Sequence, residues 1–376
     1  MPIYKMPGTK DGLQKYRVRI NYVDSSGSAK QIDRVTYGST EAKDLESRLR
    51  REIKHEIPGA RVTVKQLFEE WKRVKKHEVR ETTLDKASRI LASNVIPFLG
   101  DVKLHRLNTK VLMQWKQEIE KQDISLNTKQ SRYSAFRALL NYAVQMEYIS
   151  KNPLLRVGNF KSSIEVKKEL DYYTAEEFKK YIAVARQKAQ DIESGGFLSE
   201  WDYYVFFAIA FYTGLRKGEI NALQWNDISS GHLSVKRSIA QKLKGADRET
   251  PPKNKSSIRI LQLPAPLVKI LNEHKKRWKK QKGFCNDFRV CGGARCLRDT
   301  TIENRNKLYA QEAGIKKIRI HDFRHSHVSV LANNGINIQE IARRLGHAKI
   351  EMTWNTYSHL YPREEERAVE ILDKIV

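Results

Sequence analysis

Cysteine is scarce in this chain: 3 residues in 376, Cys285, Cys291 and Cys296, all in the stretch CNDFRVCGGARC. An odd count argues against a disulfide framework. The absence of a CxxC pair, with only His274 nearby, argues against structural zinc, so reduced, incidental thiols are expected. Long apolar runs are also missing. Nothing approaches the roughly 20 residues needed to cross a bilayer, and the start MPIYKMPGTKDG carries no apolar signal segment. The expectation is therefore a cytoplasmic, nucleoid-associated protein with no membrane partner. No block of one charge sign and no repeat period is present, which excludes a charged tail and a solenoid.

Positive charge, by contrast, is abundant. The net charge is +26, with 12 basic against 8 acidic residues over 1–60, 19 against 10 over 61–160 and 39 against 26 over 161–376. Charge spread along the whole length fits a polyanion contacted throughout better than a local membrane patch. Hydrophobic residues at 40% are enough for real cores, and the length favours two or three domains.

Residues 14–22 and 30–37 alternate as strands around the turn VDSSGSA, predicting a β-hairpin, and a helix follows from about Thr40 with Leu45, Leu49 and Ile53 inward. Residues 1–57 form a small module whose exposed strand face, with Arg17 and Arg19, is placed to read DNA as a β-ribbon, or simply packs as an appendage. Residues 62–152 read as all-helical. In the last of their four helices, about Leu126 to Met146, Tyr133, Phe136 and Leu140 face inward while Lys129, Arg132 and Arg137 point elsewhere, as on a helix lying along phosphates. Residues 153–170 lack a period and read as a linker. Residues 171–376 open with a Thr174-x-x-Glu177 capping box, continue through the all-apolar run YYVFFAIAFYTGL and two strands (HLSVKRS and SSIRILQL), and finish with helices near 321–333, 337–345, 350–359 and 362–375. The fold class is mostly α with small β elements, α+β.

Five of the ten histidines fall between Arg319 and Leu360, together with Arg324 and Tyr357. Three places in the chain carry candidate chemistry, and each has a plain structural reading. Arg216, in TGLRKGEINAL, follows a buried helix, where an arginine is costly unless an anion or a carboxylate answers it; Glu219 is the ordinary answer. Lys253, in TPPKNKSSIRI, is by default a solvated hairpin lysine. His321 and Arg324 share a helical face, since i and i+3 are neighbours, and LGH with His347 and TY with Tyr357 follow.

Taken together, TGLRKGEINALQW, PPKNKSSIRILQL, HDFRH, LGH and TYSHL make the chain resemble the tyrosine recombinase family, the phage and conjugative-transposon integrases. The boxes occur in family order over most of residues 174–360. The resemblance implies a catalytic set of Arg216, Lys253, His321, Arg324, His347 and Tyr357, no metal and no cofactor. Tyr357 would attack a DNA phosphodiester and form a 3′-phosphotyrosyl link, with Arg216, Arg324 and His347 on the phosphate, His321 as general base and Lys253 as general acid. Lys253 is preferred to Lys255 by its place in the box, where Asn254 stands at a position many members fill with Thr. The resemblance further implies double-stranded attachment-site DNA as partner, a homotetramer on two sites and accessory excision or DNA-bending proteins. Two rivals remain. A type IB topoisomerase uses the same chemistry, whereas a non-enzymatic DNA-binding regulator would have no use for Tyr357, Arg216 and Lys253.

Overall fold

The computed structural model describes residues 3–23, 29–56, 62–161, 170–193, 199–240, 248–250, 258–358, 369, 372 and 373. The chain divides into two compact units, residues 1–166 and 167–376. Lys253 and Lys255, His359, most of the expected C-terminal helix and residues 162–169 of the expected linker lie outside the described residues.

The first unit begins with an antiparallel sheet of three strands, one more than the alternation implied: β1 (Ile3–Lys10), β2 (Leu13–Val23) and β3 (Ala29–Tyr37), in that order. The turn Asp11-Gly12, with φ of 51° and 77°, joins β1 to β2. Both residues are left-handed, as a two-residue hairpin demands, and Asp-Gly is the signal for it. Val18 and Ile20 turn toward Leu49 and Ile53 of α1 (Ser39–Glu56). Period-2 alternation therefore puts Arg17 and Arg19 on the opposite face, where both pair with Asp33, at 3.4 and 3.0 Å.

The helical part comprises α2 (Val64–Lys75), α3 (Glu81–Asn94), α4 (Ile96–Leu99), α5 (Thr109–Glu120), α6 (Leu126–Gln145) and α7 (Leu154–Val157). Thr63 and Gln66 close a reciprocal capping box on α2, and the Asn108 side chain accepts from the Val111 N–H at the start of α5. Trp71, Trp115, Phe136 and Leu140 fill one core. Leu154 and Phe160 belong to that same core, so part of the segment read as linker is packed structure.

In the second unit α8 (Ala175–Glu193) starts at the expected box, where the Glu177 carboxylate accepts from the Thr174 N–H at 2.8 Å and Thr174 Oγ1 from the Glu177 N–H at 3.2 Å. Its neighbour α9 (Ser199–Thr213) is apolar on every side because it runs through the middle of the core, against α8, α11 (Ala265–Lys279) and α13 (Asp322–Asn333). Between them lie α10 (Lys217–Ala222), strands β4 (Ile228–Ser229) and β5 (His232–Val235), and the pair β6 (Ser238–Ala240) and β7 (Arg248–Thr250). Strand β8 (Arg259–Gln262) joins β5 in a sheet of order β4-β5-β8. Helices α12 (Asp299–Glu312), α14 (Ile338–Leu345) and α15 (Ile350–Tyr357) complete the described unit. Among the described residues no helix is long and apolar enough to cross a membrane.

Candidate active site

Helix α9 ends at Gly214, whose φ of +64° suits glycine, and a Cβ there would stand 2.8 Å from His327 Cδ2. The turn delivers Arg216 to the position before α10, where the Glu219 carboxylate accepts both its backbone N–H and its Nη1, each at 3.0 Å. Glu219 is buried and is not Arg216's alone: Arg259 Nη2, from β8, donates at 3.0 Å to Oε2, the oxygen that also accepts the Arg216 N–H. Burial pushes that carboxyl up, but Arg259 and then Arg216 outweigh it and hold it below its ordinary value. Arg259 also donates from Nε to the Arg344 carbonyl at 2.7 Å. It stands on the inward register of its strand beside Leu261, an arginine on a buried face, and sequence reasoning passed over it.

Arg324 is only 3% exposed. Its Nη1 donates to Gly214 O at 2.7 Å, and its Nη2 to Leu345 O and toward His347 Nε2, both at 2.8 Å. The guanidinium thus caps the C-terminal ends of α9 and α14, where orphan carbonyls and the helix dipole favour a cation. Loss of hydration and the nearby Arg216 charge lower it to about 9, which leaves it charged at neutral pH. Three N–H groups are engaged in these bonds, out of the five that a guanidinium carries.

Helix α14 closes with Gly346 at φ +68°, the His347 N–H bonding back to Ala342 O and the Gly346 N–H to Arg343 O. This left-handed close turns the chain so that His347 comes under Arg324. His347 Nδ1 meets Thr353 Oγ1 of α15 at 2.8 Å. With Nε2 accepting from Arg324, the imidazole is the neutral Nδ1–H form. Loss of hydration, then Arg324 and Arg216, bring it down to about 4.

Tyr357, four residues past Thr353 on the same face of α15, is buried among Val328, Ala332, Ile341 and Leu345. Burial pushes its phenol up to about 12, although Arg324 pulls the other way. Its hydroxyl lies 2.5 Å from His325 Nδ1. The resemblance gives no role to His325 or His327. His327 is buried, donating from Nδ1 to Phe211 O at 2.9 Å, but His325 touches the tyrosine oxygen itself. His321 stands at the exposed head of α13, edge-on to His325 with ring centres 5.3 Å apart. Loss of hydration and the Arg324 charge lower its pKa, so a neutral, proton-accepting ring is favoured.

The structure therefore brings two bonded groups to the end of α14: Arg216 and Arg259 on Glu219, with Arg259 also on Arg344 O, and Arg324 with Leu345 O and His347; His347 meets Thr353, one turn before Tyr357 on α15, and Lys253 lies outside the described residues. The residues singled out for DNA contact are less uniform. Lys129 Nζ bonds to Glu120 O at 2.9 Å and Arg132 bonds to Gln122, both at the end of α5, while Arg137 is exposed. Among the described residues no cluster of His, Cys, Asp and Glu could hold a metal ion, and none of the three cysteines is in a disulfide.

His327 makes acid sensitivity testable. It is almost wholly buried, and lost hydration followed by Arg344 bring it down to about 3. The folded state therefore holds it neutral, while the unfolded chain takes up a proton below about pH 6.5. That stability is intact above about pH 6.5 and is lost as pH falls toward the folded value, by about 1.4 kcal/mol per pH unit. Thermal unfolding should be insensitive to this group from about pH 7.5 to 6.5 and lose stability below about pH 6, and His327→Asn should remove one such increment of the slope while those of His325 and His347 persist.

A planar cation on two helix ends, two further arginines on one buried carboxylate, a neutral histidine and a buried tyrosine are groups that phosphoryl transfer to a tyrosine could use. Residues 171–364 match the phage integrase family and residues 63–119 match the phage integrase N-terminal SAM-like domain. The chain belongs to the phage integrase family, the tyrosine recombinases. It is 26% identical over 381 residues to the ICEBs1 integrase of Bacillus subtilis strain 168, covering 96% of this chain and 98% of that one. Among solved structures it is similar to the Tn1549 transposon integrase in complex with transposon right end DNA, with a TM-score of 0.62 and 22% identity over 82% of this chain and 98% of the other. It is similar also to a lambda integrase tetramer bound to a Holliday junction, with a TM-score of 0.55 and 17% identity over 93% and 96%.

Proposed function

We propose that this site-specific recombinase integrates and excises a mobile element by cutting DNA through Tyr357. The observation that carries the reading is Arg324: a buried guanidinium fixed by two helix ends and His347, with Arg216 held on Glu219 beside Arg259, which bonds to the adjoining Arg344 carbonyl. Such a cation is preorganised for charge that develops on nonbridging phosphate oxygens. Arg216 is the second fork. His347 joins them as a donor once the phosphate draws Arg324 away from Nε2 and that nitrogen takes a proton. Tyr357 Oη attacks phosphorus, the 5′ oxygen departs and a 3′-phosphotyrosyl link conserves the bond energy for resealing, which needs no nucleotide cofactor. By the resemblance, Lys253 protonates the departing oxygen and His321 serves as general base.

Residues 1–57 would contact arm-type sites through the face carrying Arg17 and Arg19, and residues 62–152 the core site, with Arg137 the best placed of the three candidates on α6. Lys129 and Arg132, tied to the end of α5, would have to leave those partners to meet phosphates. Two exchanges through a four-way junction require four protomers on two sites, with accessory proteins setting direction. The test is a nicked attachment-site substrate incubated with wild-type protein in EDTA. A covalent adduct mapping to Tyr357 by peptide mass spectrometry is expected. An adduct on another residue, or cleavage that needs a divalent metal, would overturn the reading.

A further inference from the structure

We propose that His325 is a catalytic residue that receives the Tyr357 proton through Nδ1, in place of His321, to which the resemblance gives that role, with Asp322 behind it. This rests on Tyr357 being the nucleophile. The hydroxyl lies 2.5 Å from His325 Nδ1, and among the described residues this is its one hydrogen-bond partner. The other ring nitrogen, Nε2, stands 3.8 Å from Asp322 Oδ1. Asp322 is fully buried and is held by Arg319, whose backbone N–H and Nε both reach its Oδ2 at 2.9 Å. At that distance the carboxylate makes no hydrogen bond to the ring, but its negative charge stands where an imidazolium would form and stabilises it once a proton arrives. His321 is more exposed and approaches the His325 ring, with no hydrogen bond to Tyr357 among the described contacts.

The charged and titratable groups facing His325 are His321, Asp322 and Arg324 on its own helix or its head, Arg319 just before it, and Tyr357 on α15. Loss of hydration and then His321 bring its pKa to about 4, so at neutral pH the ring is an acceptor. An arriving phosphate neutralises the Arg324 charge that helps depress it and raises its basicity at the moment of attack. The step balances. The Tyr357 O–H bond breaks as Oη–P forms, and the proton passes to Nδ1. The P–O5′ bond breaks with its electron pair on the 5′ oxygen, which the general acid protonates. Resealing returns the proton from Nδ1 to Oη.

Single-turnover cleavage of the nicked substrate by full-length protein tests this. His325→Asn keeps an acceptor near the Nδ1 position but cannot take the proton, so it preserves the docked tyrosine. Its cleavage rate should fall by about 10²-fold or more, with DNA affinity and thermal midpoint close to wild type and the acid limb of the pH–rate profile lost. His325→Ala should fall similarly and recover in part with added imidazole, or when 3-fluorotyrosine, a more acidic phenol, replaces Tyr357. His325→Asn cleaving within threefold of wild type, with an unchanged acid limb, overturns the proposal. So does a loss that neither imidazole nor 3-fluorotyrosine relieves. Failure of the Tyr357 reading looks different, since an adduct would then be absent from, or mapped elsewhere in, the wild-type protein itself.

Discussion

Tyr357→Phe should take the covalent DNA adduct from readily detected to undetectable while leaving the protein folded and DNA-bound. The ring of Tyr357 is buried against Val328, Ala332, Ile341 and Leu345, and phenylalanine fills the same space. Only the hydroxyl is lost, and with it the bond to His325 Nδ1. Leaving that acceptor unanswered costs about 1–3 kcal/mol, at the lower end here because His325 keeps 8% exposure to solvent. The chemistry, by contrast, loses its nucleophile outright, and water cannot substitute without giving a hydrolysed, adduct-free product. Denaturing gels of the trapped substrate, read beside thermal unfolding and a binding isotherm, separate the two effects. An adduct from the Phe variant would remove Tyr357 from the mechanism.

The legibility of this site in the sequence follows a physical divide. Residues whose role is set by local spacing were readable: the box at Thr174 and Glu177, the glycine that ends α9, and the all-apolar helix that has no solvent face. His321 and Arg324 on one helical turn likewise show themselves at spacing three. What was hidden depends on which distant segments meet. Nothing near Glu219 says that Arg259, forty residues on, will share its carboxylate. Arg259 did leave a trace, an arginine in phase with Leu261 on an alternating strand, where only a buried partner makes it tolerable.

His325 was obscured for the opposite reason. Its neighbour Arg324 carries the recognisable spacing, and a histidine one position along a helix points about 100° away, toward what looks like core. In the structure that direction leads to Tyr357, whose distance in sequence, thirty-two residues, gives no local pattern. The three-stranded sheet was under-read because β1 contains Pro7 and Gly8, which break its alternation, although Asp11-Gly12 announced the hairpin. The linker was over-read because Leu154 and Phe160 are isolated apolar residues without a period, yet both reach the helical core.

Arg324 should prove the position where catalysis and stability are hardest to separate. Arg324→Ala deletes the donors to Gly214 O and Leu345 O, two buried carbonyls at helix ends, and the contact to His347. Unmet buried acceptors cost about 1–3 kcal/mol each, so a loss of about 3–5 kcal/mol is expected, enough to lower the thermal midpoint of this unit by several degrees. Arg324→Lys isolates the chemistry. A lysine ammonium keeps the charge and reaches one of the carbonyls, but a point charge cannot present two parallel N–H groups to a phosphate. Single-turnover cleavage by Arg324→Lys should therefore fall by about 10²–10³-fold, with a smaller stability loss than Ala and little change in DNA affinity. Guanidinium salts added to the Ala variant should restore less than the Lys variant retains, because two helix ends, not diffusion, aim this fork. Arg324→Lys cleaving within tenfold of wild type would mean that charge alone suffices, and the preorganised geometry drawn from α9 and α14 would not be what the reaction uses.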